Sequence, residues 1–152
     1  MKLSTKGRYG LRAIIDLARY SEKEPVSISS IATRQNISER YLEQLVGMLR
    51  KAGLVKSIRG ASGGYILAKD MNEISIGDVL RALEGDLEPV KCMADQEDGG
   101  CSAAGECVTK YVWQKINDSI NQTVDNMKLS ELVNESKELN PYGEHNTSNC
   151  GN

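Results

Sequence analysis

The sequence predicts a mainly α-helical protein: a winged helix-turn-helix DNA-binding domain plus a long C-terminal dimerisation helix. Apolar residues recur at helical spacing in six segments, and a glycine-rich hairpin lies between two strand-like segments. Charge is also unevenly divided. Residues 1–70 carry 13 Lys and Arg against 6 Asp and Glu, whereas residues 71–152 carry 6 against 15. The first half therefore attracts phosphate, and the second half is repelled by it.

The 152 residues are enough for one domain with its own core plus an appendage. The segments differ enough in composition and periodicity to suggest boundaries. We expect the DNA-binding domain at residues 1–84, a cysteine-bearing loop at 85–106, the dimerisation helix and a final short helix at 107–138, and a disordered tail at 139–152.

The first three predicted helices form a helix-turn-helix unit. Asn36 makes a short turn, Ser38 caps the third helix, and Gly53 stands where a left-handed C-terminal cap is expected. A turn this short gives the second and third helices the crossing geometry of DNA readers. The first helix is expected at 6–21, with Leu11, Ile14, Ile15 and Ala18 on the buried face and Leu17 beside them. The second is expected at 28–34, and the third at 39–52, with Leu42, Leu45, Val46 and Leu49 buried.

A glycine-rich hairpin follows the third helix. Strands are predicted at 54–58 and 65–67, and Gly60, Gly63 and Gly64 lie in or beside their connection. Glycine at these positions permits a tight, exposed turn that brings the backbone close to a partner. The hairpin is therefore the predicted wing.

Two further helices and a long amphipathic one complete the chain. Ser75 caps a fourth helix that ends at Gly85, and a final helix runs to residue 138. The long helix, residues 107–127, needs a partner to bury its apolar stripe, and we expect a second copy of the chain. The stripe consists of Val112, Ile116, Ile120, Val124 and Met127, with Trp113 alongside.

Two surfaces are the candidate DNA-reading constellation: the exposed face of the third helix and the hairpin. Glutamine pairs with adenine, and glutamate accepts from the cytosine amino group. An arginine at the hairpin root suits a narrow minor groove, and further lysines and arginines suit phosphates. The competing interpretation is an ordinary solvated surface. The candidates are Glu39, Arg40, Glu43, Gln44, Arg59, Gly60, Gly63 and Gly64 for bases and grooves, and Lys2, Lys6, Arg8 and Lys56 for phosphates.

Three cysteines, Cys92, Cys101 and Cys107, lie in one short acidic segment. Gaps of eight and five residues are wide for structural zinc, whose paired ligands usually have about two to four residues between them. Thiolates suit iron–sulfur clusters, zinc and cuprous copper, and these gaps fit a loop around a larger inorganic core. The residues alone leave three interpretations open: a cluster, a zinc site, or three unrelated cysteines.

No signal peptide or membrane span is expected, because no apolar run has the length that either needs. We therefore expect a cytoplasmic protein whose four cysteines serve metal, cluster or redox chemistry before structural disulfides. An enzyme is not expected. The lone histidine lies in the tail, and the hairpin lacks the Lys-Ser/Thr ending of a phosphate-binding loop.

Several motifs together resemble the IscR/NsrR/CymR family of bacterial repressors, and most closely its IscR-like, iron–sulfur-regulating branch. They are MKLSTKGRY at 1–9, YLEQL at 41–45, KAGLV at 51–55, Arg59-Gly60 followed by Gly63-Gly64-Tyr65, the three cysteines, Trp113, and 129–134. The resemblance extends to residue 135. It implies a homodimer crossed at the long helix, on a pseudo-palindromic double-stranded operator. It also implies that Glu43 and Gln44 face bases and that Arg59 lies in the wing.

The resemblance further implies a 2Fe-2S cluster on the three cysteines, supplied by the iron–sulfur assembly machinery. A cluster held through protein atoms needs four of them. The family's IscR branch has a histidine three residues after the last cysteine, where this chain has Lys110. A lysine amine must lose its proton to bind iron. His145, Cys150, a small thiol, a water or a partner-subunit carboxylate are the alternatives.

The implied function is repression of iron–sulfur cluster assembly genes by the cluster-loaded form. Three rivals stay open: a sensor of nitric oxide, a repressor that responds to cysteine supply, and a zinc-stabilised repressor. The three cysteines argue against the cysteine-supply branch of the family, which lacks them.

Overall fold

A computed structural model of the chain describes residues 3–91, 102–103 and 105–142. The predicted mainly α-helical, winged-helix fold is confirmed, and helix and strand ends fall within two residues of expectation. In chain order the elements are α1 (Thr5–Tyr20), α2 (Ile28–Gln35), α3 (Glu39–Lys51), β1 (Val55–Ile58), β2 (Gly64–Leu67), α4 (Ile76–Glu84), α5 (Thr109–Asn126) and α6 (Leu129–Leu139).

One hydrophobic core unites α1 to α4 with α6. The final helix contributes Leu129 and Val133, both fully buried, and packs against α1. The chain is fixed there by hydrogen bonds from the Ile76 N–H to the Met127 carbonyl and from the Leu129 N–H to the Ile74 carbonyl, each 2.9 Å. The predicted boundaries at 84 and 106 stay predictions, but α6 shares the core of the DNA-binding domain although it follows α5 in the chain.

Two glycines allow α1 to lie close against α4. A Cβ on Gly7 would come within 2.4 Å of Glu84 Oε1, and one on Gly10 would come within 2.4 Å of Leu83. Glu84 Oε1 accepts hydrogen bonds from the N–H groups of Ser4 and Gly7, at 2.9 and 3.0 Å, and so satisfies donors at the start of α1. The first turn of α1 is therefore held by a carboxylate from α4.

This packing corrects part of the predicted buried face of α1. Leu11 and Ile15 are only half-buried, whereas Gly10 and Ala13 are buried. Helical spacing selects large apolar residues as the buried face, but a close contact between helices favours small side chains. Ile14 (0% exposed) and Ala18 are buried as predicted, and Leu17 beside them is buried as well.

A buried carboxylate links α1 to α2. Asp16 is 3% exposed. It accepts hydrogen bonds from Arg34 Nε and Nη2, the shortest at 2.7 Å, and from the Gln35 amide at 2.8 Å. The Arg34 guanidinium also lies 4.1 Å from the Tyr20 ring centroid. This network fixes the first helix of the helix-turn-helix against α1.

A capping box begins α4. The Ser75 hydroxyl accepts from the Asp78 N–H, and the Asp78 carboxylate accepts from the Ser75 N–H, both at 3.0 Å. Burial raises the pKa of Asp78, but the Ser75 hydrogen bonds, with the positive charges of Arg81 and Lys69, outweigh it. The net pKa of Asp78 lies below its ordinary value.

Within the described ranges, none of the helices has the length and hydrophobicity that a bilayer crossing requires.

Candidate DNA interface and cysteine site

The turn between α2 and α3 is set by one left-handed residue. Asn36 has φ 52° and ψ 50°, a conformation that asparagine tolerates better than most residues. Ile37 then enters the core, with its N–H bonded to the Ala32 carbonyl at 3.1 Å. Ser38 caps α3 by accepting from the Tyr41 N–H at 3.3 Å. These local signals present α3 as the second helix of the motif.

The outward face of α3 carries the predicted base-reading side chains. Its inward face is buried through Leu42, Leu45, Val46 and Leu49. In the part of the chain that the structure describes, no hydrogen bond or ion pair engages the side chains of the outward face, which leaves them available for a ligand. They are Glu39, Arg40, Glu43 and Gln44, all exposed.

A tyrosine pair supports the first turn of α3, and the sequence analysis missed it. Tyr9 and Tyr41 meet edge to face at 6.2 Å, and the Tyr41 hydroxyl lies 3.2 Å from Thr5 Oγ1. The guanidinium groups of Arg8 and Arg12 lie 5.9 and 5.5 Å from the Tyr9 ring centroid. The two tyrosines stand in the quoted motifs, but nothing in the sequence pairs them.

The wing is an antiparallel pair in which Val55 faces Leu67 and Ile58 faces Gly64. The Gly63 N–H bonds to the Gly60 carbonyl at 3.0 Å, and Gly60 has φ +120°, which favours glycine. Predicted wing residues Arg59 and Gly60 are exposed, as is the neighbouring Lys56 on β1.

Gly63 and Gly64 have a packing role that the sequence analysis did not foresee. A Cβ on Gly63 would lie 2.3 Å from the Ile58 carbonyl oxygen, and one on Gly64 would lie 2.6 Å from the Val26 carbonyl oxygen. Beside Gly64, Tyr65 exchanges backbone hydrogen bonds of 2.9 and 2.8 Å with Val26. Gly63 is thus required by the hairpin itself and Gly64 by the Val26 backbone beside it, whether or not they approach DNA.

The predicted phosphate contacts lie on the same domain. Lys6 and Arg8 are exposed on α1. Lys2 lies outside the described residues. Exposed lysines and arginines are the side chains that contact phosphates in DNA-binding proteins, and this role stays a prediction here.

Of the three predicted metal ligands, only Cys107 falls within the described residues. Cys92 and Cys101 lie outside them, as do the alternative ligands His145 and Cys150. Cys107 is exposed and free, two residues before α5 begins. Lys110 stands half-buried in the first turn of α5. No cluster of three or more metal-ligating side chains occurs among residues 3–91, 102–103 and 105–142.

The surroundings of Cys107 favour the thiolate. Its Sγ lies 3.0 Å from Thr109 Oγ1. This hydrogen bond, assisted by those of the Lys110 and Thr109 backbone N–H groups, holds the pKa of the Cys107 thiol below its ordinary value. Thiolate is the form that binds metal. The donor chemistry at Cys107 therefore fits an iron–sulfur cluster.

The long helix leaves its N-terminal half uncovered. Val112 is 48% exposed and Ile116 is 38% exposed, whereas Ile120 and Val124 are half-buried. Closer to its C-terminal end, α5 is attached to α4 by the Arg81 guanidinium, which donates to the Asp125 carboxylate at 2.7 to 2.8 Å. The uncovered half is a candidate contact surface between copies.

The chain is similar to known bacterial regulators along most of its length. The sequence model of the Rrf2 family, described as iron-dependent transcriptional regulator, matches residues 3–135. The HTH-type transcriptional regulator IscR of Escherichia coli O1:K1 / APEC is 41% identical over 147 residues, which are 97% of this chain and 89% of that protein.

Solved structures show the same relationship. That of T. potens IscR has a TM-score of 0.74 and 46% identity, and covers 92% of this chain and 91% of its own. That of CymR, described as the global cysteine regulator of B. subtilis, has a TM-score of 0.73 and 44% identity, and covers 89% of this chain and 98% of its own. Because the chain is about equally identical to these two proteins, the identities do not decide which signal it responds to, and its own residues have to be considered.

Proposed function

Because the chain belongs to the Rrf2 family of transcriptional regulators, we propose that it is a homodimeric, DNA-binding repressor whose operator affinity depends on a 2Fe-2S cluster. The observation that carries the proposal is the environment of Cys107. A thiol that is exposed, free and held toward thiolate lies two residues before the helix that follows the cysteine segment. A purely structural cysteine is usually buried and inert.

DNA reading is assigned to α3 and the wing. Gln44 and Glu43 suit base edges in the major groove, because their side chains are exposed and unengaged within the described part of the chain. Arg59 suits the adjacent minor groove. Lys6, Arg8 and Lys56 suit phosphates, which fix the position of the protein but not the sequence that it reads.

A twofold dimer would place two such reading units on one duplex. The exposed apolar half of α5, with Tyr111, Val112 and Ile116, supports pairing of two copies through that helix. A dimer of helix-turn-helix units reads half-sites about one helical turn apart, so the operator is expected to be pseudo-palindromic. Boundaries at residues 84, 106 and 138 would separate the DNA-binding domain, the cysteine segment, the dimerisation helices and the tail.

Cys92, Cys101 and Cys107 would hold the cluster, which the cell's iron–sulfur assembly machinery would supply. When bound, such a cluster supplies one-electron redox chemistry and a soft-metal cross-link between the cysteines. The cysteine segment connects α4 to α5. Cluster binding alters DNA affinity only by stabilising one arrangement of these helices more than the other.

Lys110 occupies the position at which the IscR branch has a fourth ligand. A lysine amine can ligate iron only after it loses its proton, so we propose that the fourth position is weakly or exchangeably filled. Lys110→His should make the loaded protein lose its cluster more slowly in air than the unmodified protein does. Equal loss rates would remove the fourth-ligand argument and leave the three-cysteine site intact.

The specific second candidate is a repressor that responds to cysteine supply, favoured by the 44% identity to the B. subtilis cysteine regulator. A nitric-oxide sensor and a zinc-stabilised repressor use the same residues. Anaerobic purification followed by iron, sulfide and zinc analysis and a visible spectrum separates these candidates. Iron and sulfide with visible absorbance support the cluster, colourless zinc protein supports the zinc site, and metal-free protein supports the cysteine-supply candidate. Nitric oxide is then titrated into the loaded form to test the nitric-oxide sensor.

Cysteine-to-serine variants locate the ligands. Cys92→Ser, Cys101→Ser and Cys107→Ser should each lose iron and visible absorbance. Cys150→Ser removes the thiol that is an alternative fourth ligand, so full cluster content in that variant excludes Cys150 from the site. Full cluster content in all three ligand variants would contradict the assignment.

A further inference from the structure

Cys107 Sγ lies beside a hydroxyl group at the start of α5. The Thr109 Oγ1 atom is 3.0 Å from the sulfur. Among the residues that the structure describes, Thr109 alone contacts this sulfur through a side-chain donor. It is therefore the donor that a substitution can remove without altering the main chain.

The direction of this hydrogen bond is fixed once the sulfur binds iron. A free thiol and a hydroxyl can each donate to the other, but an iron-bound cysteine sulfur carries no proton. The Thr109 hydroxyl then has to donate. A hydrogen bond onto a charged acceptor is about twice as strong as one between neutral groups, so the contact strengthens as negative charge grows on the sulfur.

We infer that Thr109 is a positioning residue that holds Cys107 Sγ at the start of α5 and favours reduction of the cluster bound there. The inference rests on the proposed cluster. Hydrogen bonds to the sulfurs are among the factors that set cluster potentials, and outer partners orient the ligands of metal sites generally. Reduction adds one electron to the cluster and no proton to the sulfur, so a donated hydrogen bond stabilises the reduced form more than the oxidised form.

The test compares variants of the full-length, anaerobically loaded protein. Thr109→Val keeps the shape of the side chain and removes the donor, and Thr109→Ser restores the hydroxyl. Thr123→Val is the matched control, because the Thr123 hydroxyl on the same helix donates to the Ser119 carbonyl at 2.8 Å. The readouts are a spectroelectrochemical titration and the iron–thiolate stretching frequency.

We expect Thr109→Val to lower the equilibrium constant for one-electron reduction about tenfold, which is about 59 mV, and to shift the iron–thiolate stretch. Thr109→Ser and Thr123→Val should keep the wild-type values. Thr109→Ala should reproduce the valine result and replaces it if the valine variant does not load.

Wild-type potentials and frequencies in loaded Thr109→Val and Thr109→Ala would overturn the inference and leave the proposed function standing. Wild-type protein that takes up no iron or sulfide would overturn both.

Discussion

The buried carboxylate of Asp16 is expected to decide whether the helix-turn-helix stays in place on α1. Asp16→Asn keeps the size of the side chain and removes its charge. The native carboxylate accepts from Arg34 Nε and Nη2 and from the Gln35 amide. An asparagine presents one oxygen and one NH₂ group, so it cannot accept from all of these donors and turns a donor toward at least one of them.

The size of the effect follows from the burial of the two partners. The Asp16 side chain is 0% exposed and that of Arg34 is 23% exposed. Breaking a buried ion pair by removing one partner costs about 3–5 kcal/mol. Because water reaches part of Arg34, we expect the low end, about 3 kcal/mol. Domains of this size have only about 5–15 kcal/mol of stability, so the variant should be clearly destabilised.

Urea unfolding at neutral pH, followed by circular dichroism, measures this loss. The matched control is Glu22→Gln, because the Glu22–Lys137 pair has the same 2.7 Å separation but side chains that are 47% and 43% exposed. Exposed pairs contribute about 0–1 kcal/mol. Equal losses of unfolding free energy in the two variants would refute the claim that burial makes the Asp16–Arg34 pair strongly stabilising.

Three further predictions test the wing, the reading helix and the α4 cap. Gly64→Ala should lower the free energy of unfolding in urea by about 1–3 kcal/mol, because the new Cβ meets the backbone of the neighbouring segment. Gly47→Ala, where nothing lies within 4 Å of the new Cβ, should be neutral or stabilising. A larger loss in Gly47→Ala than in Gly64→Ala would contradict the packing argument. Gln44→Ala should weaken operator binding by about 1–3 kcal/mol in fluorescence anisotropy, with little effect on binding to nonspecific DNA. Lys6→Ala should weaken binding to both DNAs and reduce the slope of log affinity against log salt concentration by about one. An equal loss on operator and nonspecific DNA in Gln44→Ala would exclude base reading by Gln44. The pKa of Asp78 is lowered in the folded protein, so its contribution to stability is present above its ordinary pKa of 3.8 and is lost as the pH falls through the lowered folded value. The urea midpoints of wild type and Asp78→Asn should therefore differ near neutral pH and converge in acid. A difference that does not change with pH would refute this assignment.

Local signals were enough to predict the order of the elements. Ser38 and Ser75 cap the helices that they were expected to cap, and Gly53 has the positive φ expected just after α3. Each of these residues acts on its own turn of the chain. The sequence therefore contains the information locally, and no tertiary contact is needed to interpret it.

Contacts between distant segments could not be predicted in the same way. Gly10 on α1 was not predicted to be buried, because its close packing against α4 depends on the neighbouring helix and not on hydrophobicity. Asp16 was not singled out in the sequence, because only folding brings its α2 partners, Arg34 and Gln35, beside it. Gly64 was assigned to DNA approach, but the Val26 backbone beside it is visible only after folding.

The candidate site shows the same difference between features that local sequence predicts and contacts that form only on folding. The residues of α3 were placed on its outward face correctly because helical periodicity alone determines that face. The Thr109 contact with Cys107 was not foreseen, because hydroxyl residues near a cysteine are common and only geometry singles one out. Lys110 was singled out by its position relative to the last cysteine, and its role stays a prediction.

The most direct test of the central claim is the affinity of one protein preparation for its own promoter DNA with and without the cluster. Fluorescence anisotropy is measured anaerobically at a fixed salt concentration, first on loaded protein and then after iron is removed by chelation. The account predicts that the two dissociation constants differ by at least about fivefold, the low end of ordinary coupling between two sites, and that Cys107→Ser behaves like the apo form. Equal dissociation constants for loaded and apo protein would contradict it.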